Sequence, residues 1–187
     1  MGWLFWTALL GLGALVLSGS GSMSGYVPPT RTPVTPAQMY AALASSWPDV
    51  IGDTPTRSAI LVLLSQWSVE TDTGRAMIQW NVGNFKATSS SSLYTTYLTT
   101  EVVNGEDVHL DQNFAAYPDL ASGVTAYLQA MHGRFGAAWS YVESGDLDGF
   151  AQALKNQGYY TRDEPTYAAA LHARYSQLDA EIPDDAA

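Results

Sequence analysis

Apolar residues recur at helical spacing along most of the chain, with one interval where the period changes. Thr35-Pro36 opens a first helix, with Met39, Tyr40, Leu43 and Trp47 inward and Pro48 closing it. Thr54-Pro55 supplies a second helix start, a capping hydroxyl followed by proline. Ile60, Leu63, Leu64 and Trp67 then follow at i, i+3, i+4 and i+7. A Gly-Asn-rich loop, Trp80 to Lys86, and a serine run, Ser89 to Ser92, come next. From Tyr94 to Asp111 the period changes to two, with Thr95, Tyr97, Thr99 and Glu101 alternating with Thr96, Leu98, Thr100 and Val102, and Asn104-Gly105 is a strong turn signal, so this interval reads as a β-hairpin. Helical spacing resumes over 121–131, 139–142, 147–154 and 167–178. The pattern predicts a mainly α domain with a small inserted β-hairpin lobe.

The ends of the chain read differently. Trp3 to Leu17 is an uncharged apolar run of about fifteen residues, short of the roughly twenty that usually span a bilayer and near the length of a signal-peptide core. Residues 1–18 are therefore expected to be an N-terminal membrane anchor or signal segment, with residues 3–17 meeting the membrane. Residues 19–35, rich in Ser, Gly, Pro and Thr, are expected to form a flexible linker. The domain itself is placed at 36–182, and 183–187 forms an acidic tail.

With 187 residues, 47% of them hydrophobic, the chain has material for one well-buried domain. Its formal charge of -10, with eight Lys and Arg, argues against nucleic acid as partner, because phosphate binding needs basic side chains. The lack of cysteine excludes disulfides and a thiol nucleophile. His109, His132 and His172 share no metal-ligand spacing, and neither a metal nor another cofactor is expected. The serine run lacks the setting of a nucleophile.

One residue breaks the second helix's logic. Glu70, three positions after Trp67, continues the apolar stripe. A carboxyl held against Trp and Leu loses solvation, which raises its pKa toward the range of a general acid. Were the helix to end earlier, Glu70 would instead face water. Glu101 on the hairpin is the best second carboxylate, although alternation with threonine also fits a solvated strand position. Asp72, Glu106, Asp107 and Asp111 compete with it. Asn81 and Asn84 carry two-sided amides suited to a polar ligand or to stabilising a turn. Trp80 could be a stacking platform or pack in the core.

Four blocks in order resemble a known family: Ser68 to Gly74, Asn81 to Ala87, Thr100 to Gly105 with Phe114 to Leu120, and Gly158 to Thr161 with Tyr167-Ala168 and Leu171. They are similar to the lysozyme-like peptidoglycan hydrolases of the bacterial glucosaminidase type, glycoside hydrolase family 73, which includes flagellar and autolysin enzymes. The likeness spans about residues 36–178. The acid block departs from the commoner Ser-Gly-Trp-Gly continuation, the usual Asn-Asn pair is split, and two extra residues precede Tyr167.

The resemblance implies a lysozyme-like α-helical domain cleaving the β-1,4 bonds of peptidoglycan glycan strands, as an N-acetylglucosaminidase or N-acetylmuramidase. It places Glu70, Glu101 and Tyr159 at the reaction centre. Asn81, Asn84, Trp80, Tyr117 and Tyr160 are the residues expected to touch substrate. Other readings stay open: a lytic transglycosylase using Glu70 alone, or a wall-binding module without activity. A membrane-anchored or exported chain acting in the periplasm or cell wall is expected, carried by a cell or by a virion.

Overall fold

The computed structural model describes residues 25–103, 106–160 and 162–183, and only the backbone of those between 100 and 107. The expected anchor at 1–18, the first part of the linker, the Asn104-Gly105 turn and residues 184–187 lie outside the described residues. Among the described residues no helix is long and apolar enough to cross a membrane.

Helix α1 spans Pro36–Ile51 and α2 spans Arg57–Thr71. Strands β1 (Tyr94–Val103) and β2 (Glu106–Ala115) form a two-stranded antiparallel sheet. Helices α3 (Leu120–Gln129), α4 (Trp139–Ser144), α5 (Leu147–Asn156) and α6 (Glu164–Glu181) complete the domain. The architecture is thus mainly helical with one hairpin, as the periodicity predicts.

Helix α2 is the centre of the packing. Every residue from Ala59 to Thr71 is buried, so it has no solvent face. Its neighbours are α1, α4 and α6, and Met39, Leu43, Trp47, Tyr127, Leu154 and Leu171 belong to the same core. The predicted stripe therefore captures only part of α2, since Leu61, Val62 and Ser65 are as buried as Leu63 and Trp67.

Several boundaries differ from the sequence expectation for local reasons. Thr56, not Thr54, caps α2, its hydroxyl accepting from the Ala59 amide at 3.2 Å. Pro48 does not close α1 but sits inside its last turn, where its missing N–H forfeits only one helical bond; the helix ends at Gly52. Helix α6 starts at Glu164, with Asp163 capping the Thr166 amide, so it is longer than the apolar spacing alone indicates. A π turn over Ala130–Arg134 and a 3-10 turn over Gly136–Ala138 link α3 to α4.

The second half of the expected linker lies against the domain. Thr32 donates its amide to the Met77 carbonyl, Gln79 donates to Thr30, and Val27 donates to Tyr94. An extended Pro-Thr segment carries unpaired backbone groups, and the 77–80 loop and the hairpin root supply their partners.

The hairpin register runs from Tyr94 opposite Ala115 to Val103 opposite Glu106. Tyr97 stacks on Phe114 at 4.2 Å between ring centroids, and an isolated bridge joins Lys86 to Phe114, which anchors the hairpin root to the preceding loop. The return into α3 is tight, and a Cβ on Gly123 would stand 2.0 Å from the Trp80 carbonyl oxygen. Alanine gains roughly 1 kcal/mol of helix propensity over glycine. The clash outweighs this gain, because overpacking against backbone typically costs about 1–3 kcal/mol or more. Gly123→Ala is accordingly expected to lower the urea midpoint, measured by circular dichroism; an unchanged or higher midpoint would show that the loop yields.

Candidate active site

The last turn of α2 brings Glu70 into the interior. Its side chain is 7% exposed, and Oε1 accepts a hydrogen bond from the Tyr167 hydroxyl at 3.0 Å. Burial raises the Glu70 pKa from 4.5 to about 8, against the opposing effects of the Tyr167 hydrogen bond and the positive charge of Arg162. Desolvation wins because it acts on the whole charged group, whereas the hydroxyl supplies one donor. At neutral pH Glu70 therefore retains its proton. The sequence reading of an inward, protonated acid holds, with Tyr167 as an unanticipated partner.

Asp72, two residues on, has the opposite character. Arg75 donates to both of its carboxylate oxygens, at 3.0 and 2.7 Å, and holds the Asp72 carboxyl below the usual range. It remains ionised and tied to the surface of the turn. Two neighbouring carboxyls are thus in different protonation states for different physical reasons.

Three tyrosines surround Glu70. The Tyr127 hydroxyl donates to the side-chain oxygen of Gln66, one turn before Glu70, and lies 3.2 Å from the Leu63 carbonyl. Tyr159 is buried, donates to the Gly83 carbonyl at 3.0 Å, and packs edge-on against Phe85 and Phe135. Burial pushes the hydroxyls of Tyr127, Tyr159 and Tyr167 well up, and the Glu70 charge adds to this, so all three stay protonated. Tyr159 stands close enough to feel Glu70, while its hydroxyl is engaged by backbone.

The other expected residues are distributed as follows. The Asn81 amide donates to the Phe85 and Ala115 carbonyls and its oxygen accepts from the Phe85 amide, all at 2.9 Å. That side chain fastens the loop to the end of β2 and has no amide hydrogen left for a sugar. Asn84 accepts from the Tyr97 hydroxyl at 2.8 Å, joining the same loop to the hairpin. Trp80 is half-buried against the core, its amide donating to the Thr32 hydroxyl. Tyr160 is buried, donates to the Ala151 carbonyl, and stacks on Tyr167 at 3.9 Å. Glu101 occupies a strand position opposite Val108, and its side chain lies outside the described residues.

A cavity of about 440 Å³ opens between the serine loop, the end of β2 and α3. Lys86, Tyr117, Gln129 and Arg134 stand on its wall, and Glu70 does not. Tyr117 thus faces a different space from the buried acid. No group of His, Asp and Glu suited to a metal occurs among the described residues.

Sequence reasoning misses Tyr167, Gln66, Tyr127 and Arg162 as neighbours of Glu70. Gln66 carries a signal, since it precedes Glu70 by four residues and shares its face of α2. Tyr167 falls within one of the four family-like blocks but has no role there by itself. Its distance of 97 positions along the chain from Glu70 offers no local clue.

Comparison with known proteins returns a consistent answer. Residues 57–180 match the glucosaminidase family model, described as mannosyl-glycoprotein endo-beta-N-acetylglucosaminidase. A peptidoglycan hydrolase mutant from Sphingomonas sp. A1 is similar with a TM-score of 0.57 and 22% identity, over 76% of this chain and 99% of that one. A C-terminally truncated glycoside hydrolase domain of FlgJ from Salmonella typhimurium gives 0.51 and 25%, over 78% and 98%. The catalytic domain of the autolysin Auto from Listeria monocytogenes gives 0.53 and 18%, over 80% and 88%. No curated protein matches by sequence.

The raised pKa has a consequence for stability. Glu70 binds its proton more tightly folded than unfolded, so its contribution is fully present below pH 4.5 and is lost as pH rises through about 8. A tenfold difference in proton affinity is worth about 1.4 kcal/mol, so the loss is on the order of several kcal/mol by about pH 9. Glu70→Gln cannot ionise. It is expected to equal the wild type near pH ~4 and to exceed it in urea-unfolding free energy at about pH 8 to 9; equal stability at both pH values would contradict a buried, protonated Glu70.

Proposed function

The chain belongs to the glucosaminidase family, and from that premise we propose that it cuts the glycan strands of peptidoglycan by hydrolysis, with Glu70 as the proton donor. The observation that carries this reading is the buried carboxyl at the end of α2, held protonated with a pKa of about 8. Breaking a glycosidic bond requires a proton for the leaving oxygen while positive charge develops at the sugar carbon. Glu70 gives that proton to the bridging oxygen, the C–O bond breaks, and water adds to the carbon as its proton passes to Glu101 or back to the Glu70 carboxylate. Glu101 is assigned the second part, as base toward that water or as a stabiliser of the positive centre. Its placement on the hairpin suits this, because the hairpin root is tied to the Glu70 neighbourhood through Tyr97, Asn84, Gly83 and Tyr159.

Asn84, Trp80 and Tyr117 are assigned as substrate contacts and Tyr159 as a contact of the reaction centre through its ring, whereas Tyr160, expected to touch substrate, is buried with its hydroxyl on Ala151 and is assigned to the packing behind Tyr167. Asn81 is assigned to the architecture of the loop beneath the sugar. The FlgJ domain is named a glycoside hydrolase and the Sphingomonas protein a peptidoglycan hydrolase, which supports the same substrate class here. Such a substrate lies outside the cytoplasm. Residues 3–17 would export the chain or fix it to a membrane.

The deciding experiment is digestion of purified peptidoglycan by residues 25–187, followed by mass spectrometry of the released ends. Reducing N-acetylglucosamine or N-acetylmuramic acid ends are expected, whereas anhydro-sugar ends would replace hydrolysis by transglycosylation. Glu70→Gln is expected to lower the rate by about 10²- to 10⁴-fold, the usual contribution of a positioned general acid. The rate is further expected to fall as pH rises through about 8, where Glu70 loses its proton. No release of soluble fragments by the wild type would sink the enzymatic reading and leave a wall-binding module.

A further inference from the structure

We infer that Tyr167 is the positioning residue of this site: its hydroxyl, braced by the Tyr160 ring, fixes the orientation in which Glu70 presents its proton. This inference rests on the assignment of Glu70 as the proton donor. A glutamate has three rotatable bonds, and proton transfer to a glycosidic oxygen requires the carboxyl within hydrogen-bond reach and correctly turned. Something outside α2 must therefore hold it. The Tyr167 hydroxyl does so from α6, at 3.0 Å from Oε1.

Tyr167 is itself held on its other side. Its ring is 3% exposed and lies on the Tyr160 ring at 3.9 Å between centroids, with 21° between their planes. Tyr160 is fixed in turn by its hydroxyl on the Ala151 carbonyl at 3.0 Å and by the Lys155 ammonium 5.3 Å from its ring centre. The line from α5 through Tyr160 and Tyr167 to Glu70 consists of rings with few accessible rotamers. Such a line transmits position with little play.

The titratable and charged groups that act on Glu70 are Tyr167 on α6, Tyr127 on α3, and Tyr159 and Arg162 between α5 and α6. Gln66 stands on α2 itself, bonded to Tyr127 and next to the Tyr167 hydroxyl. The three tyrosines keep their protons well above the ordinary range, and the guanidinium of Arg162 is a fixed charge. Glu70 is thus the group of this set that titrates near neutral pH. A hydroxyl donating to its carboxyl favours the ionised form, so removing the hydroxyl moves the Glu70 midpoint upward.

Tyr167→Phe removes one oxygen and keeps the stacked ring, so the variant retains the packing against Tyr160. Two readouts are combined: the carboxyl titration of Glu70 by ¹³C NMR, with Glu70→Gln identifying the signal, and kcat and KM against peptidoglycan across pH. The expected result for Tyr167→Phe is a higher Glu70 midpoint, a basic limb of kcat moved in the same direction, kcat lowered about tenfold and KM within about twofold. A lowered Tm with midpoint and limb unmoved would reduce Tyr167 to a packing residue and overturn the inference. Full activity in Glu70→Gln would instead defeat the proton-donor assignment, and the NMR midpoint would still report whether Tyr167 holds the carboxyl.

Discussion

Helix α2 is buried on all sides and ends inside the protein, and the rest of the domain answers to that constraint. A helix end leaves carbonyl groups without intrahelical partners, and in the interior water cannot satisfy them. Here the sequence after Trp67 supplies the partners. Thr71 returns its hydroxyl to the Trp67 carbonyl at 2.6 Å and accepts from the Gly74 amide, while Thr73 donates its amide to Ser68 at 2.8 Å. The Ser68 and Thr73 hydroxyls meet at 2.9 Å. Two side-chain oxygens of α2 are likewise met from outside, that of Gln66 by the Tyr127 hydroxyl and Oε1 of Glu70 by the Tyr167 hydroxyl. The tyrosines of α3 and α6 thus serve two purposes, filling the core and satisfying polar groups that the central helix carries into it.

This arrangement explains how an acid can be kept protonated at neutral pH without a second carboxylate pressed against it. Loss of solvation alone pushes Glu70 upward, and a single hydroxyl and the positive charge of Arg162 pull it back only in part. Asp72 shows the contrast within one turn, since Arg75 meets it in water with two parallel hydrogen bonds and it stays charged. The difference between the two carboxyls is one of burial and partner, not of residue type. It also means that the acid is a cost to the fold as pH rises above 4.5, which is tolerated because the surrounding core is extensive.

The parts of the structure legible in sequence are those with a strong local signal. Threonine alternation around Asn104-Gly105 reports the hairpin, and the apolar spacing around Trp47, Tyr127 and Leu154 reports the helices. Glu70 reads as inward by continuing a stripe, yet α2 is buried on every face, so its inward position follows from centrality more than from phase. Pro48 and Thr54 mislead because a proline in the last helical turn costs one bond, and because two threonines two residues apart are equally able to cap. Asn81 looks like a sugar contact since its amide chemistry is suited to either task; only its distance to Phe85 and Ala115 decides for the loop. The Tyr167 hydrogen bond joins residues far apart in the chain and becomes visible only once the helices are packed.

The acid block's departure from the commoner pattern has a structural reading of its own. Asp72, Thr73 and Gly74 take positive φ values of 51°, 55° and 80° in succession, an unusual run for which a β-branched threonine is poorly suited. Non-glycine residues held in this way typically store about 1–3 kcal/mol each, and they persist where neighbours over-determine them. Ser68, Thr71 and Arg75 do so here, and Gly74 is required outright, because a Cβ there would lie 2.2 Å from the Val34 carbonyl oxygen and 2.6 Å from the Trp67 ring. The turn therefore locks the exit of α2 against both the segment before α1 and the central tryptophan. A helix end pinned this firmly keeps Glu70 in the last full turn, under Tyr167, instead of fraying toward solvent. Several polar side chains together hold Glu70 at this helix end, which places the constraint on the geometry of the turn and not on any one residue that follows it.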